Sequence, residues 1–250
     1  MIELDHIYNE DCLEGMKRID DDAVDCCITS PPYNFNLRIH YGEYGGWGST
    51  DPNKYGNMLN DRLPIEEYFE WQKSCIEEML RISKNLVFYN IQLITGNKFA
   101  LCKLIGHFAE NIKEIMIWDK INAEPAIRDG VMNSMYEFVI VFAKHDAIAR
   151  QFDVFNAGRG AFSNVIRLQK NHQRQGINHK AVFPLELPQT LIRNFTNDGD
   201  TVCDPFIGSG TTAIACIKEK RHFVGFELNR EYYDKAVKRI NDEQAQPTLF

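Results

Sequence analysis

The chain has 250 residues, of which 44% are hydrophobic and 25% are charged, and its formal net charge is −7. This composition is typical of an ordinary soluble globular protein and excludes the disordered and fibrous classes. No apolar run approaches the roughly 20 residues of a membrane-spanning helix, and the acidic start MIELDHIYNED differs from a secretion signal. We therefore expect a cytoplasmic protein with one domain over residues 1–250 and no membrane partner.

The predicted elements define the fold class. Short β-branched runs alternate with amphipathic segments, which predicts an α/β fold with a mostly parallel sheet covered by helices. In chain order, the predicted strands are 3–8, 24–29, 86–90, 115–119, 138–143, 201–205 and 223–227. The predicted helices are 65–82, 207–220 and 229–241. Two segments interrupt this pattern, a loop at 36–62 that is rich in Gly, Tyr, Asn and Asp, and a basic segment at about 145–177.

The seven cysteines bear on metals and redox state. Their number is odd, and they form no C-x-x-C pair. This spacing argues against a zinc site and against a disulfide framework, and it fits reduced core thiols. We therefore predict no metal site.

The strongest local signal is DPFIGSGTT, residues 204–212, which follows one predicted strand and begins the next helix. Its glycines let the backbone turn sharply and approach a ligand, while the free amides of the helix N-terminus favour an anionic group such as a carboxylate. Glu227, 23 residues beyond Asp204, ends the next strand, where it can accept hydrogen bonds from ribose hydroxyls. A nucleoside-type cofactor fits this pattern, and tight helix packing by Gly208 and Gly210 is the structural alternative.

The residues after the glycines discriminate between two cofactors. A nicotinamide cofactor needs a third glycine to seat its pyrophosphate, whereas Thr211, Thr212 and Ala213 follow here. S-adenosylmethionine has no pyrophosphate, and its carboxylate and ribose match the helix amides and Glu227. The sequence favours S-adenosylmethionine, with a nicotinamide oxidoreductase as the alternative.

A second signal, TSPPYN at residues 29–34, follows the strand VDCCIT. Two prolines fix two backbone dihedrals and remove two donors, so carbonyl groups are presented without competing N–H groups. The Ser30 side chain and the Pro31 carbonyl can accept the two hydrogens of an amino group, and the Tyr33 ring can stack on a flat base. A strand end with a buried tyrosine is the alternative.

Together, DPFIGSGTT and TSPPYN resemble the amino-group DNA methyltransferases, which methylate N6 of adenine or N4 of cytosine. The proline turn precedes the glycine motif here, which resembles the beta arrangement of that family and disfavours the protein glutamine methyltransferases. The resemblance implies a Rossmann-like methyltransferase fold with a mostly parallel seven-stranded sheet and one antiparallel strand. It also implies a single catalytic domain with DNA-recognition insertions at about 36–62 and 145–177.

The resemblance extends to both ends of the chain and assigns roles to further residues. In IYNEDCLEGM, Asp11 would lie near the adenine of the cofactor, and in NHKAVFPLELPQTLI, Phe183 would contact the methionine end, which a helix closes. The predicted catalytic residues are Ser30, Pro31, Pro32 and Tyr33. The predicted cofactor-binding residues are Asp11, Phe183, Asp204, Pro205, Phe206, Gly208, Gly210, Thr211, Thr212, Glu227 and Asn229.

The mechanism that this assignment implies needs positioning and no covalent intermediate. Acceptors at Ser30 and Pro31 would aim the lone pair of the amine at the methyl group. Methylation at C5 of cytosine would need a cysteine nucleophile within a Pro-Cys pair, which the sequence lacks. A turn that begins with Ser resembles the cytosine N4 branch, so we favour cytosine N4 with adenine N6 as the alternative.

Double-stranded DNA is the expected partner. Between Val154 and Leu185 there is no Asp or Glu, and the predicted DNA-binding residues are Asn34, Arg159, Arg167, Lys170, Arg174 and Lys180. Phosphate contact is favoured over a merely solvated basic face. The base must be flipped out of the duplex, and Tyr41, Tyr44 and Trp47 would then close over it or pack on one another. A cognate restriction endonuclease is a further candidate partner. The chain end from Gln246 to Phe250, QPTLF, resembles sliding-clamp peptides, although an unstructured end is the better default interpretation.

Overall fold

The computed structural model describes residues 2–34, 39–40, 43–44, 63–122, 129–169 and 184–245, with the backbone alone at 39–40 and 43–44. The strands are β1 (His6–Tyr8), β2 (Val24–Thr29), β3 (Ile39–His40), β4 (Glu43–Tyr44), β5 (Ser83–Ile91), β6 (Ile112–Asp119), β7 (Tyr136–Ala143), β8 (Val165–Arg167), β9 (Thr201–Asp204) and β10 (His222–Phe226). The helices are α1 (Cys12–Met16), α2 (Ile65–Ile82), α3 (Lys98–His107), α4 (Glu186–Phe195), α5 (Thr211–Lys218) and α6 (Arg230–Gln244).

The main sheet has the order β1-β10-β9-β2-β5-β7-β6-β8, and β3 and β4 form a separate antiparallel pair. In the main sheet β7 is antiparallel to both of its neighbours, and all other pairs are parallel. The expected α/β fold with one antiparallel strand is therefore confirmed. The sheet has eight strands rather than seven, because the short strand β8 pairs with β6 at one edge.

Helices cover both faces of the sheet, and the alternation of side chains along the strands creates two cores. Along β5, Leu86 and Phe88 face the core formed with α4, α5 and α6, whereas Val87 and Tyr89 face the core formed with α1, α2 and α3. This layering is that of a doubly wound α/β domain. None of the helices within the described residues is long and apolar enough to cross a membrane.

The described part of the basic segment, residues 145–169, packs onto the body of the domain. The rings of Phe152, Phe155 and Phe162 lie 4.9, 5.4 and 5.7 Å from the ring of Phe195 in α4. Contact between these aromatic rings, of which Phe152 and Phe162 are half-buried and Phe155 is exposed, integrates this stretch into the fold together with β8. The DNA-recognition insertion expected at about 145–177 stays a prediction: residues 145–169 pack against the domain, and 170–177 lie outside the described residues.

The cysteines are free thiols, and all are buried except Cys102. Burial raises the pKa of the Cys27 and Cys216 thiols well above their ordinary value, which makes them unreactive core side chains. Within the described residues no group of His, Cys, Asp and Glu side chains could hold a metal ion.

Candidate active site

The two sequence motifs meet at the carboxyl edge of the sheet because β2 and β9 are adjacent parallel strands. Thr29, the last residue of β2, donates its hydroxyl to Oδ1 of Asp204, the last residue of β9, over 2.6 Å. Both residues are buried, at 1% exposure each. The turn that contains Ser30 is therefore fixed beside the turn that contains Gly208, at a crevice where doubly wound folds bind ligands.

The carboxylate of Asp204 holds the glycine turn together. Its Oδ2 accepts a hydrogen bond from the Thr212 hydroxyl at 2.5 Å, and its Oδ1 also accepts from the Phe206 amide at 3.0 Å. Burial raises the pKa of Asp204 to about 6, and these hydrogen bonds to the charged form partly oppose that rise. Both oxygens are thus occupied by the protein, so Asp204 shapes the predicted cofactor turn from within.

The two glycines of the turn have different roles. Gly210 has a φ of +85°, and a Cβ there would lie 3.2 Å from the Cβ of Ala236 in α6, which fits the helix-packing interpretation. Gly208 has a φ of +54°, and a Cβ there would meet only the Phe206 carbonyl oxygen, at 3.9 Å. Gly210 therefore lets α6 approach the turn, whereas open space beside Gly208 leaves room for a ligand.

Glu227 lies where β10 ends, next to the glycine turn. Its Oε1 accepts a hydrogen bond from the Asn229 amide at 2.7 Å, and the Gly208 amide also hydrogen-bonds to this carboxylate. Burial raises the pKa of Glu227 to about 7, with opposing contributions from the two amides. The carboxylate is only partly buried, so it remains able to receive hydroxyl donors from a ligand.

Several predicted cofactor residues have structural tasks. Asp11 caps α1 by accepting from the Leu13 and Glu14 amides, and Asn229 caps α6 in the same way. Pro205 is buried beside the half-buried Phe206, whose ring lies 5.5 Å from Trp71 of α2, edge to face. Thr211 and Thr212 are buried in the first turn of α5. Phe183 lies outside the described residues.

Two residues that the sequence reasoning missed support this half of the site. Arg239 of α6 donates to the carbonyl oxygen of Ser209 at 2.5 Å and to its hydroxyl at 3.1 Å. Asn9 donates its side-chain amide to the Glu227 carbonyl at 2.8 Å, which fastens the end of β1 to the end of β10. Neither residue belongs to a recognisable motif, and only the three-dimensional arrangement identifies them.

The proline turn carries a buried polar network. The Tyr33 hydroxyl lies 2.9 Å from Ser30 Oγ and donates to Glu137 Oε2 over 2.7 Å. The side-chain amide of Asn90 donates to the Tyr33 oxygen at 2.7 Å and to Glu137 Oε2 at 2.8 Å. Lys120 Nζ lies 2.9 Å from Glu137 Oε1. Burial raises the pKa of Tyr33 well above its ordinary value, so its hydroxyl keeps its proton.

The two proline carbonyls differ in availability. The Pro32 carbonyl accepts a hydrogen bond from the Tyr68 hydroxyl at 2.7 Å, which fixes the turn against α2. No described residue donates a hydrogen bond to the Pro31 carbonyl. Ser30 and Pro31 both lie at the carboxyl edge of the sheet, and their role as acceptors for an amine stays a prediction.

Asn34, for which the sequence predicted a DNA contact, is buried inside the turn. Its φ is +58°, its side chain is 1% exposed, and its amide donates to the carbonyl oxygens of Leu63 and Gly96, both at 3.0 Å. A left-handed conformation suits Asn better than most residues. Asn34 thus shapes the turn from inside and offers DNA no exposed surface.

The described basic residues are accessible. Arg159 is exposed, and Arg167, at the end of β8, has a 76% exposed side chain that lies 3.4 Å from Asp119 Oδ2. Tyr44 is described by its backbone alone. The remaining predictions for DNA or partner contacts lie outside the described residues, namely Tyr41, Trp47, Lys170, Arg174, Lys180 and 246–250.

Comparison with known proteins agrees with this geometry. The DNA methylase family model for N6 and N4 methylation matches residues 24–238, and the chain belongs to that family. It is 25% identical to the type II methyltransferase M.BglII of Bacillus subtilis over 287 residues, covering 99% of this chain and 72% of that protein.

Two solved structures share the fold. The PvuII DNA methyltransferase (cytosine-N4-specific) matches with a TM-score of 0.71 at 18% identity, covering 95% of this chain and 90% of that one. The M1.HpyAVI-SAM complex matches with a TM-score of 0.65 at 24% identity, covering 94% and 98%. The Rossmann-like methyltransferase fold is confirmed, and family membership rules against a nicotinamide oxidoreductase.

Proposed function

We propose that this protein transfers a methyl group from S-adenosylmethionine to an exocyclic amine in double-stranded DNA, with N4 of cytosine as the favoured target. The observation that carries the proposal is the hydrogen bond between Thr29 and Asp204. It holds the acceptor turn, residues 29–34, beside the cofactor turn, residues 204–212, at one sheet edge. A methyl donor on one turn would therefore face an amine on the other, and such positioning is the main catalytic requirement.

The cofactor half of the site fits S-adenosylmethionine. Open space beside Gly208 admits a ligand, and the half-buried Glu227 carboxylate at the next strand end suits ribose hydroxyls. The N-terminus of α5 has no side-chain cap, so its first amides are available to a carboxylate. When bound, S-adenosylmethionine supplies an electrophilic methyl group on a sulfonium. The solved M1.HpyAVI-SAM complex, which shares the fold, supports this choice.

The acceptor half of the site suits an amine whose lone pair is delocalised into a ring. Hydrogen bonds from that amine to Ser30 Oγ and to the Pro31 carbonyl would favour a more tetrahedral nitrogen and direct its lone pair outward. The network behind Tyr33 holds Ser30 in place. No nucleophilic cysteine takes part, because Cys27 and Cys203 are buried core thiols.

A base inside a duplex cannot reach this edge, so the target must leave the stack at a cost of roughly a few kcal/mol. The half-buried ring of Tyr33 would stack on the flipped base. Exposed Arg159 and Arg167 would contact the phosphates on either side of the opened pair, together with the rest of the basic segment. The choice of cytosine N4 depends on Ser30, since the proline turn begins with Ser more often in the cytosine N4 branch of the family than in the adenine N6 branch.

The deciding experiment is sequencing of genomic DNA, with detection of modified bases, from a host that expresses the protein. Wild-type protein is compared with Ser30→Ala and with Lys238→Ala, an exposed lysine on α6, as the matched control. We expect N4-methylcytosine at one short sequence in hosts with wild-type or Lys238→Ala protein, and none with Ser30→Ala.

The alternatives give distinct results. N6-methyladenine at one short sequence would contradict the favoured base and retain the amine chemistry. Absence of both modified bases, with folded protein present in the cell, would reject the proposed function.

A further inference from the structure

A buried ion pair lies directly behind the predicted catalytic turn. Lys120 and Glu137 are 5% and 7% exposed, and Nζ and Oε1 are 2.9 Å apart. Removing two charges from water is costly, and apolar residues often stabilise such a position equally well. The pair therefore calls for an explanation other than stability, and its neighbours provide one.

The direction of the hydrogen bonds follows from counting protons. A carboxylate only accepts, so the single proton of the Tyr33 hydroxyl points to Glu137 Oε2, 2.7 Å away. The Tyr33 oxygen then has no proton left to give to Ser30. The contact between Ser30 Oγ and Tyr33, at 2.9 Å, must have Ser30 as the donor.

The orientation of Asn90 agrees with this direction. Its nitrogen Nδ2 lies 2.8 Å from Glu137 Oε2 and 2.7 Å from the Tyr33 oxygen, so each amide hydrogen has an acceptor. A flipped amide would place Oδ1 against the carboxylate, which electrostatic repulsion disfavours. Nδ2 also lies 3.4 Å from Ser30 Oγ, and Oδ1 of Asn90 is buried and has no hydrogen-bond partner among the described residues.

We propose that Glu137 is a positioning residue for Ser30. Its carboxylate, balanced by Lys120, accepts the hydrogen bond of the Tyr33 hydroxyl, so Ser30 must direct its own proton to the Tyr33 oxygen and away from the pocket. Ser30 Oγ can then only accept a hydrogen bond from the target amine. This inference deepens the proposed function and rests on it. A serine hydroxyl is otherwise free to act as donor or acceptor, and a donor there would oppose an incoming amine. The ion pair thus fixes the polarity of the site.

The test measures single-turnover methyl transfer to an unmodified duplex that contains the motif found by genome sequencing. Glu137→Gln keeps the shape of the side chain, but its amide can donate to Tyr33 and so reverse the chain of hydrogen bonds. Tyr33→Phe keeps the ring and removes the hydroxyl. We expect each single variant to lose at least about tenfold in rate, with dissociation constants for DNA and S-adenosylmethionine within about twofold of wild type.

The double variant distinguishes positioning from general structural support. If Glu137 acts through Tyr33, adding Glu137→Gln to Tyr33→Phe causes no further decrease in rate, because the effect is already absent. If the rate of the double variant falls by the product of the two single decreases, the inference is overturned. A Glu137→Gln rate within about twofold of wild type would overturn it as well. Glu78→Gln, in the ion pair with Arg81 at the far end of α2, is the matched control and should keep the wild-type rate.

A second variant covers the case in which Glu137→Gln unfolds because Lys120 is left as an unpaired buried cation. The paired variant, Lys120→Gln with Glu137→Gln, removes both charges together. Its rate is then judged by the criteria given above for Glu137→Gln. Failure of wild-type protein to methylate any DNA would reject the proposed function. If wild-type protein is active and the paired variant keeps the full rate, only the role of Glu137 is rejected.

Discussion

The Thr29 hydroxyl donates to Asp204 Oδ1 over 2.6 Å and joins two turns that are 175 residues apart in the chain. Because Asp204 also receives the Thr212 hydroxyl and the Phe206 amide, this one buried carboxylate links β2, the glycine turn and α5. The relative position of the acceptor turn and the cofactor turn therefore depends on a single cluster.

Replacing Thr29 with Val tests this cluster directly. The change preserves shape but leaves a buried carboxylate oxygen with one donor fewer, which we expect to lower the free energy of unfolding by about 1 to 3 kcal/mol. Chemical denaturation measures the decrease, and calorimetry should show weaker binding of S-adenosylmethionine. Thr29→Ser keeps the hydroxyl and should retain most of the cofactor affinity. Equal affinities for wild type and Thr29→Val would show that the link does not position the cofactor turn.

The raised pKa of Asp204, about 6, predicts a pH dependence of stability. The folded state binds this proton more tightly than the unfolded state, so the contribution is fully present below about pH 4 and is lost as the pH rises through about 6. For this buried group the change amounts to roughly 2 to 3 kcal/mol. Asp204→Asn removes the titration, so the difference in unfolding free energy between wild type and variant should change over this interval. A pH-independent difference would contradict the assignment.

Glu227 predicts a pH dependence of cofactor binding. Its pKa of about 7 means that the carboxylate is largely protonated about one pH unit below that value and largely ionised about one unit above it. Ribose hydroxyls bind better to the ionised form, so the dissociation constant of S-adenosylmethionine should fall as the pH rises through about 7. Titration calorimetry at several pH values measures this change, and Glu227→Gln provides the reference without the titration. Parallel pH profiles for both proteins would exclude Glu227 as the source.

The two glycines of the turn should respond differently to alanine. Gly210→Ala introduces a Cβ 3.2 Å from Ala236 at a φ of +85°, so we expect a decrease of roughly 1 to 3 kcal/mol in stability. Gly208→Ala meets no close neighbour, so apart from the strain of a Cβ at a φ of +54° it should mainly weaken cofactor binding. Thermal melting and calorimetry on both variants separate the two effects. Equal cofactor affinity for Gly208→Ala and wild type would place the ligand elsewhere.

Arg159 tests the proposed DNA contact. Arg159→Ala should weaken binding of duplexes of any sequence and reduce the slope of log affinity against log salt by about 0.9 for each phosphate that the protein no longer neutralises. Fluorescence anisotropy at several salt concentrations measures the slope. Lys238→Ala, on the surface of α6, removes the same charge and should leave the slope unchanged. Matching slopes for both variants would argue for a general charge effect.

Much of the cofactor half could be predicted from the sequence because its signals are local. Strand ends beside glycine and proline turns indicate the ligand edge of a parallel sheet, and the helix 65–82 shows clear periodicity, so its bounds agree with α2. Strand β8 has three residues, too few to show alternation, and α3 is apolar on most sides, which weakens its helical pattern.

The polar network could not be predicted for a different reason. Asn90, Lys120 and Glu137 lie on three different strands or strand ends and contact Tyr33 or one another only after the sheet forms. Each residue alone resembles an ordinary polar residue near a strand end. The burial of Asn34 could not be predicted either, because its backbone is left-handed and one sequence does not reveal this conformation.

The reversed direction of β7 brings the start of that strand, rather than its end, to the ligand edge. Lys120 and Glu137 therefore stand at the two ends of the connection between β6 and β7. A change of length within that connection would leave the ion pair at its base in place, because both charged residues are fixed by the adjoining ends of β6 and β7.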